Sequence, residues 1–129
     1  MEESELNNLR EMFKNTIKDL IEEKKNHPKY SKILNKLNLD VNLILENVGN
    51  FGISIKNGDY EIKEDFKFEK PKFEIKSTFE NFFKYSSRQI GDLKAILTGK
   101  LKIKGKRHFF LLLKFGSILK VIPEKKLIK

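Results

Sequence analysis

The segment from Leu97 to Leu119 constrains the fold of this chain more than any other part of it. Between Lys100 and Lys104, lysine alternates with leucine or isoleucine, which predicts a strand with one exposed and one buried face. After Gly105 a nearly continuous apolar run begins at Phe109 and extends to Ile122, and we expect a helix that is apolar on almost every side. Such a helix requires an unusually enclosing core, a partner subunit or an apolar ligand. Gly116 costs about 1 kcal/mol in a helix interior, so we expect the helix to bend there.

The first half of the chain predicts two helices followed by three antiparallel strands. Apolar residues recur every three or four positions between Leu6 and Ile21, which indicates an amphipathic helix with Ser4 as its N-cap. A second short helix is expected to open at Pro28. Period-two alternation then predicts strands over 39–46, 51–56 and 60–68, separated by Gly49-Asn50 and Asn57-Gly58, dipeptides that favour hairpin turns.

The second half predicts a strand, two helices, another strand and the apolar helix. Pro71 precedes a strand over Lys72 to Lys76, and the spacing of Ser77 and Glu80 is that of a capping box at the start of a helix. A short helix from Ile90 to Leu97 is expected to bury Ile90, Leu93, Ile96 and Leu97 and to end at Gly99. Residues 1–129 therefore predict a single α+β domain with a largely antiparallel sheet.

Charge is distributed unevenly along the chain. The sequence holds 27 basic and 18 acidic residues, but residues 65–129 contain 17 of the basic and 6 of the acidic ones. No acid lies between Asp92 and Glu124. The basic residues of this region predict either a solvated surface or a surface for phosphate on a lipid head group or nucleic acid; the anion-contact candidates are Lys100, Lys102, Lys104, Lys106 and Arg107.

Catalytic and metal-binding patterns are not apparent in the sequence. There is no cysteine, and His27 and His108 lack neighbouring acids at metal-ligand spacing. We therefore expect no enzyme activity, catalytic residue, metal or cofactor. No apolar run reaches the roughly 20 residues of a membrane span, and the acidic, amphipathic N-terminus is unlike a signal peptide, so a cytoplasmic location is expected.

The second half of the chain resembles the lipid-binding domain of sterol carrier protein type two. The resemblance extends from about Phe68 to Val121 and depends on the capped aromatic helix and on the GKLKIKG motif at Gly99–Gly105 before the apolar helix. In that family a twisted five-stranded sheet and its helices enclose an apolar tunnel for sterols, fatty acids or fatty acyl coenzyme A, with no chemistry performed. The resemblance implies that the following residues line such a tunnel: Phe79, Phe82, Phe83, Ile96, Leu97, Phe109, Leu112, Leu113 and Leu119.

The sequence thus favours non-catalytic binding and transfer of an apolar lipid, such as a fatty acid, a fatty acyl coenzyme A, an isoprenoid or a sterol-like molecule. The expected partners are the lipid and, peripherally, an anionic membrane, with the protein a monomer or weak homodimer. Two alternatives remain. One is a nucleic-acid-binding module, although Leu101 and Ile103 stand where stacking aromatics would be needed between the lysines. The other is an accessory or dimerisation domain of a lipid-metabolising enzyme.

Overall fold

A computed structural model of the chain describes residues 2–123, except the side chain of Lys106. The helices in this range are α1 (Glu3–Lys25), α2 (Tyr30–Lys36), α3 (Phe79–Ser86), α4 (Asp92–Leu97) and α5 (Phe109–Ile118), the last preceded by a 3-10 turn (Lys106–His108). The strands are β1 (Asn38–Leu45), β2 (Gly49–Lys56), β3 (Asp59–Glu64), β4 (Phe73–Ser77) and β5 (Lys102–Lys104). They form one sheet in the order β3-β2-β1-β4-β5. The expected α+β fold with five strands is confirmed.

The sheet has one apolar face covered by helices and one polar face. All strand pairs are antiparallel except β1 and β4, which run parallel with Val41 opposite Phe73. Every second side chain along a strand points toward the helices. Val41 and Phe73 belong to this set, and both are at most 1% exposed. From α1, Phe13, Ile17 and Ile21 pack on the same face and complete the core.

One of the two predicted hairpin turns is correct. Asn57 and Gly58 both have positive φ, 52° and 91°, as a two-residue turn between β2 and β3 requires. The other prediction is wrong because Gly49 already belongs to β2 and pairs with Leu45. The turn instead spans residues 46–48, where Asn47 adopts φ 65°.

The third strand ends earlier than the alternation predicts. β3 stops at Glu64, and Phe66 and Phe68 cross the polar face of the sheet on the way to β4. A Cβ on Gly52 would meet the Phe66 ring at 2.6 Å, so glycine in β2 allows this crossing. The Asn42 side chain fixes it, because its amide donates to the Phe68 carbonyl at 2.9 Å and accepts from the Phe68 N–H at 2.7 Å. β4 can therefore lie beside β1 rather than β3.

The two N-terminal helices begin at different residues than expected. Ser4 lies inside α1, and the backbone N–H of Glu2, one residue before the helix, donates to the Glu5 carboxylate at 3.3 Å. Pro28 lies in a turn and the second helix begins only at Tyr30. Both differences move a helix end by one or two residues without changing which face is buried.

Thr78, not Ser77, caps α3. The Thr78 hydroxyl accepts a hydrogen bond from the backbone N–H of Asn81 at 3.0 Å. Ser77 is still the last residue of β4, and its hydroxyl donates to the Lys100 carbonyl at 3.1 Å. This bond ties the strand end to the segment that leads into β5.

The helices nearest the C-terminus are shorter than expected. α4 begins at Asp92, so Ile90 precedes it, and Ala95 is its fully buried residue. Leu93 and Leu97 were expected to be buried, but they are 59% and 76% exposed because, four residues apart, they share the outward side of this short helix. α5 ends at Ile118, and Leu119 caps it rather than continuing it.

Candidate functional site

A small apolar cavity lies where β4 and β5 meet α3, α4 and α5. Its volume is about 10 Å³, close to the space for a single water molecule. The lining residues are Ile75, Phe82, Tyr85, Asp92, Ile96, Leu101, Ile103, Leu112, Leu113, Phe115, Gly116 and Leu119. Because the wall closes on itself, an acyl chain can enter only if some of these side chains move apart.

Five of the nine predicted tunnel residues line this cavity: Phe82, Ile96, Leu112, Leu113 and Leu119. Three elements contribute them, since Phe82 comes from α3, Ile96 from α4 and the leucines from α5 or its C-cap. These five residues, which the family resemblance implied, come together around one cavity, and their contact with a lipid stays a prediction.

The other four predicted residues lie elsewhere. Phe79 packs edge-on against Phe13, with ring centroids 6.2 Å apart, at the α1 side of the core. Phe83 is 56% exposed on α3, and Leu97 is exposed for the reason given above. Phe109 is half-buried at the start of α5, beside the Phe110 ring. Their contact with a ligand stays a prediction.

A buried polar group that the sequence analysis missed lies in the cavity wall. The Tyr85 hydroxyl donates to Asp92 Oδ1 at 2.7 Å, and Lys120 Nζ lies 2.6 Å from Asp92 Oδ2. Tyr85 and Lys120 are each only 6% exposed, and the ammonium lies 5.2 Å from the centre of the Tyr85 ring. Burial and the neighbouring Asp92 carboxylate raise the pKa of Tyr85, so its hydroxyl is protonated and donates. We call these three residues the polar triad.

Gly116 makes room for the polar triad. It is a buried residue inside the helix, and a Cβ there would overlap the Tyr85 hydroxyl. A larger residue at this position cannot coexist with the observed position of the tyrosine. The structure therefore shows a packing role for Gly116, and the expected bend of α5 at this position stays a prediction.

Two hydrogen bonds, one from a side chain and one between backbone groups, join the chain after α5 to the end of α3 and the turn that follows it. Arg88 Nε donates to the Val121 carbonyl at 2.6 Å, and the Val121 N–H donates to the Ser86 carbonyl at 2.8 Å. Together with the bond from Lys120 to Asp92, these contacts hold the C-terminal side of the cavity wall in place.

The predicted anion-contact residues lie mainly at the β5 edge of the sheet. Lys102 and Lys104 are exposed on its polar face, and Arg107 is exposed in the 3-10 turn. Lys100 is half-buried, and its carbonyl accepts the Ser77 hydroxyl. The Lys106 side chain falls outside the described part of the chain.

Lys104 and Arg107 join other basic residues around an open cleft of about 750 Å³. We call this the basic cleft; its lining residues are Glu69, Lys70, Pro71, Lys72, Glu74, Lys104, Gly105, Arg107 and His108. Lys70 and Lys72 were not among the predicted contacts, although the sequence Lys70-Pro71-Lys72 places two cations next to β4.

Titratable groups in the basic cleft reflect its positive charge. Burial raises the pKa of Glu74, but Lys67, Asn42 and Lys104 outweigh it and hold the pKa below its usual range. Lys67 and Lys104 each lie 3.5 Å from the Glu74 carboxylate. Partial desolvation and the nearby Lys72 and Arg107 lower the pKa of His108. The cleft therefore favours anions over cations.

Comparison with known proteins identifies the family. The family model described as the SCP-2 sterol transfer family matches residues 17–120. The chain belongs to this family. The match covers most of the first half of the chain as well as the second, whereas the sequence resemblance extended only from about Phe68 to Val121.

Solved structures of this family have the same fold. The sterol carrier protein domain 2 of Helicoverpa armigera is 22% identical, with a TM-score of 0.63 and coverage of 80% of this chain and 81% of that one. UbiJ-SCP2, a ubiquinone synthesis protein, is 10% identical, with a TM-score of 0.62 and coverage of 88% and 91%. At these identities the likeness shows the fold alone. No curated protein sequence matches the chain significantly.

The same fold occurs within a much larger enzyme. The stereoselective inverting sec-alkylsulfatase Pisa1 from Pseudomonas sp. is 17% identical, with a TM-score of 0.63 over 71% of this chain. The chain spans only 14% of that sulfatase.

In the part of the chain that the structure describes, no cluster of three or more His, Asp or Glu side chains could hold a metal ion. Within the same range, no helix is both long and apolar enough to cross a membrane.

Proposed function

We propose that this SCP-2 family member binds one apolar lipid in the cavity and transfers it between membranes without changing it chemically. The observation that supports this most is the convergence of side chains from three helices and two strands on a cavity that is apolar except for Tyr85 and Asp92. Membership of a sterol transfer family agrees with the proposal. Fatty acids, fatty acyl coenzyme A, isoprenoids and sterol-like molecules all fit an apolar wall of this kind.

Lipid binding requires the cavity to expand. The element best placed to move is α4, because it has only six residues and its outer side, with Leu93 and Leu97, makes no buried contact. An acyl chain that buries about 300 Å² gains about 7.5 kcal/mol at 25 cal/mol per Å², before association costs. Micromolar affinity corresponds to about 8 kcal/mol net, so a chain that buries about twice this area is needed to reach it after association and rearrangement of the wall.

The basic cleft would bring the protein to an anionic membrane. Lys72, Lys104 and Arg107 are exposed around it, and the pairing of Glu74 with Lys67 and Lys104 leaves an excess of positive charge. This electrostatic attraction weakens as the salt concentration rises, and it falls off over a distance of about one Debye length from the membrane surface. Docking by the cleft and storage in the cavity would then use opposite faces of β4 and β5.

An accessory role in a larger enzyme is the second candidate. It is favoured by the sulfatase, in which the same fold makes up a small part of the chain. Nucleic-acid binding is less favoured, because Leu101 and Ile103 are 4% and 9% exposed and leave no aromatic platform between the lysines of β5.

Titration with a fluorescent acyl probe that has an uncharged head group tests the proposal. Saturation near one probe per chain, with displacement by unlabelled lipid, is the expected result. Absence of saturable binding, together with tight and salt-sensitive RNA or DNA binding, would instead support a nucleic-acid module. Failure to bind either class would favour the accessory role.

A further inference from the structure

The polar triad gives the apolar cavity one polar end. Among the described residues that line the cavity, Tyr85 and Asp92 are the two with polar side chains. Lys120 stands behind them, 2.6 Å from Asp92 Oδ2, and is itself almost completely buried. A lipid filling the cavity would therefore meet polar atoms at this one place.

The structure preserves this arrangement at a packing cost. Glycine has a lower helix propensity than every residue except proline. At position 116 its lack of a side chain allows the Tyr85 hydroxyl to lie against α5. A buried ion pair contributes little net stability compared with apolar residues of the same shape. The triad is therefore poorly explained as a device for stability alone.

The charges of the triad discriminate between kinds of lipid head group. The Lys120 ammonium is already paired with the Asp92 carboxylate, so no net positive charge is left to receive a carboxylate. A ligand carboxylate near Asp92 would meet a like charge, and because the Asp92 side chain is only 26% exposed, water screens this repulsion less than at the open surface. An uncharged hydroxyl can donate to Asp92 Oδ1, and an uncharged hydroxyl or carbonyl can accept from Tyr85 where it replaces Asp92 as the acceptor of the single tyrosine proton.

We propose that Tyr85, Asp92 and Lys120 form the polar end of the lipid site and select lipids that end in an uncharged hydroxyl or carbonyl over lipids that end in a carboxylate. This inference rests on the proposed lipid-binding function and adds the class of head group to it. Asp92 acts mainly by excluding anions, since discrimination comes as much from repelling the wrong ligand as from binding the right one.

Replacement of Asp92 should reverse the preference. Asp92→Asn keeps the shape of the side chain but leaves the Lys120 ammonium without its carboxylate partner. A fatty-acid carboxylate could then pair with Lys120, whereas an alcohol would donate to a neutral amide oxygen, a weaker acceptor than the carboxylate. Tyr85→Phe should weaken binding of uncharged lipids without creating affinity for the anion, because it removes only a hydrogen-bonding hydroxyl.

Displacement of Nile red at pH 8 by dodecanol, methyl laurate and laurate tests the inference, since the three share one chain length and differ in their head groups. The wild-type protein should bind the two uncharged lipids at least tenfold more tightly than laurate. Asp92→Asn should shift this ratio at least tenfold toward laurate. The matched control Asp59→Asn removes an exposed acid at the hairpin between β2 and β3 and should leave the ratio unchanged.

The relative affinities of the wild-type protein for the three lipids test the inference even if a variant fails to fold. Equal or tighter binding of laurate by the wild-type protein would overturn the inference while leaving the lipid-binding proposal intact. An unchanged ratio in folded Asp92→Asn would overturn it as well. If none of the three lipids displaced the dye, the proposed function would fail together with the inference.

Discussion

The hydroxyl of Tyr85 occupies the space that a side chain at Gly116 would fill. The tyrosine lies on α3 and the glycine on α5, so this contact sets how closely the two helices approach at the cavity wall. It also positions the hydroxyl for its 2.7 Å bond to Asp92. The two residues are therefore expected to behave as a pair in mutagenesis.

Gly116→Ala should destabilise the protein by about 1 to 3 kcal/mol, because the added methyl group overlaps Tyr85 and displaces it from Asp92. The double variant Gly116→Ala/Tyr85→Phe should recover most of the loss, since it removes the overlapping oxygen. Urea unfolding of the wild-type protein, of both variants and of Tyr85→Phe alone gives the free energies of unfolding for a double-mutant cycle. An increase in stability on Gly116→Ala would show that helix propensity dominates and that the packing account is wrong.

Leu113→Glu should lower lipid affinity at least tenfold. Leu113 lines the cavity, and a carboxylate there is desolvated unless it is protonated or the wall opens. Leu93→Glu is the matched control, because the same substitution on the exposed side of α4 places the charge in water. Titration of a fluorescent acyl probe, with circular dichroism to verify folding, measures the effect. Equal affinity in the two variants would place the lipid outside this cavity.

The basic cleft should govern association with anionic vesicles. The double variant Lys104→Ala/Arg107→Ala removes two exposed charges, each contributing about 1 kcal/mol near an anionic surface, so partitioning should fall roughly thirtyfold. Lys18→Ala/Lys56→Ala is the control, with two exposed lysines from α1 and β2. Sedimentation with phosphatidylserine vesicles at two salt concentrations gives the measurement. Equal binding of wild-type protein to neutral vesicles would contradict electrostatic docking.

Glu74 should make folding stability depend on pH under acidic conditions. Its pKa is lower in the folded protein than its ordinary value, so its stabilising contribution is complete above the unfolded-state pKa and is lost as the pH falls through the folded-state pKa. Glu74→Gln should therefore destabilise the protein at pH 7 and much less at pH 3. Glu64→Gln, at the exposed end of β3, provides the comparison. A destabilisation by Glu74→Gln that is the same at both pH values would indicate a steric effect.

Local patterns predicted the elements of the fold better than their arrangement. Alternation identifies β1 and β2 because one face of each is buried, and Asn57-Gly58 encodes its own turn. The parallel pairing of β1 with β4 has no local signal. It depends on a crossing segment whose Phe66 packs over Gly52, a contact between residues that only the folded sheet brings together.

The candidate site was approached through the family resemblance and not through local pattern. The resemblance implied Leu112 and Leu113, and both line the cavity. Leu97 was expected to be buried, but it shares the exposed side of α4 with Leu93, and which side of so short a helix faces the core depends on tertiary contacts that its local sequence does not encode. The bond between Lys120 and Asp92 spans 28 residues, and nothing in the sequence near either residue indicates the other.

Native mass spectrometry of protein purified without detergent tests most directly whether the chain carries a lipid. We expect a fraction of the protein to carry one lipid per chain, released on denaturation and identifiable in the extract. That fraction should be lost in Leu113→Glu and retained in Leu93→Glu. Wild-type protein that is free of lipid and acquires none on incubation with mixed vesicles would contradict the account.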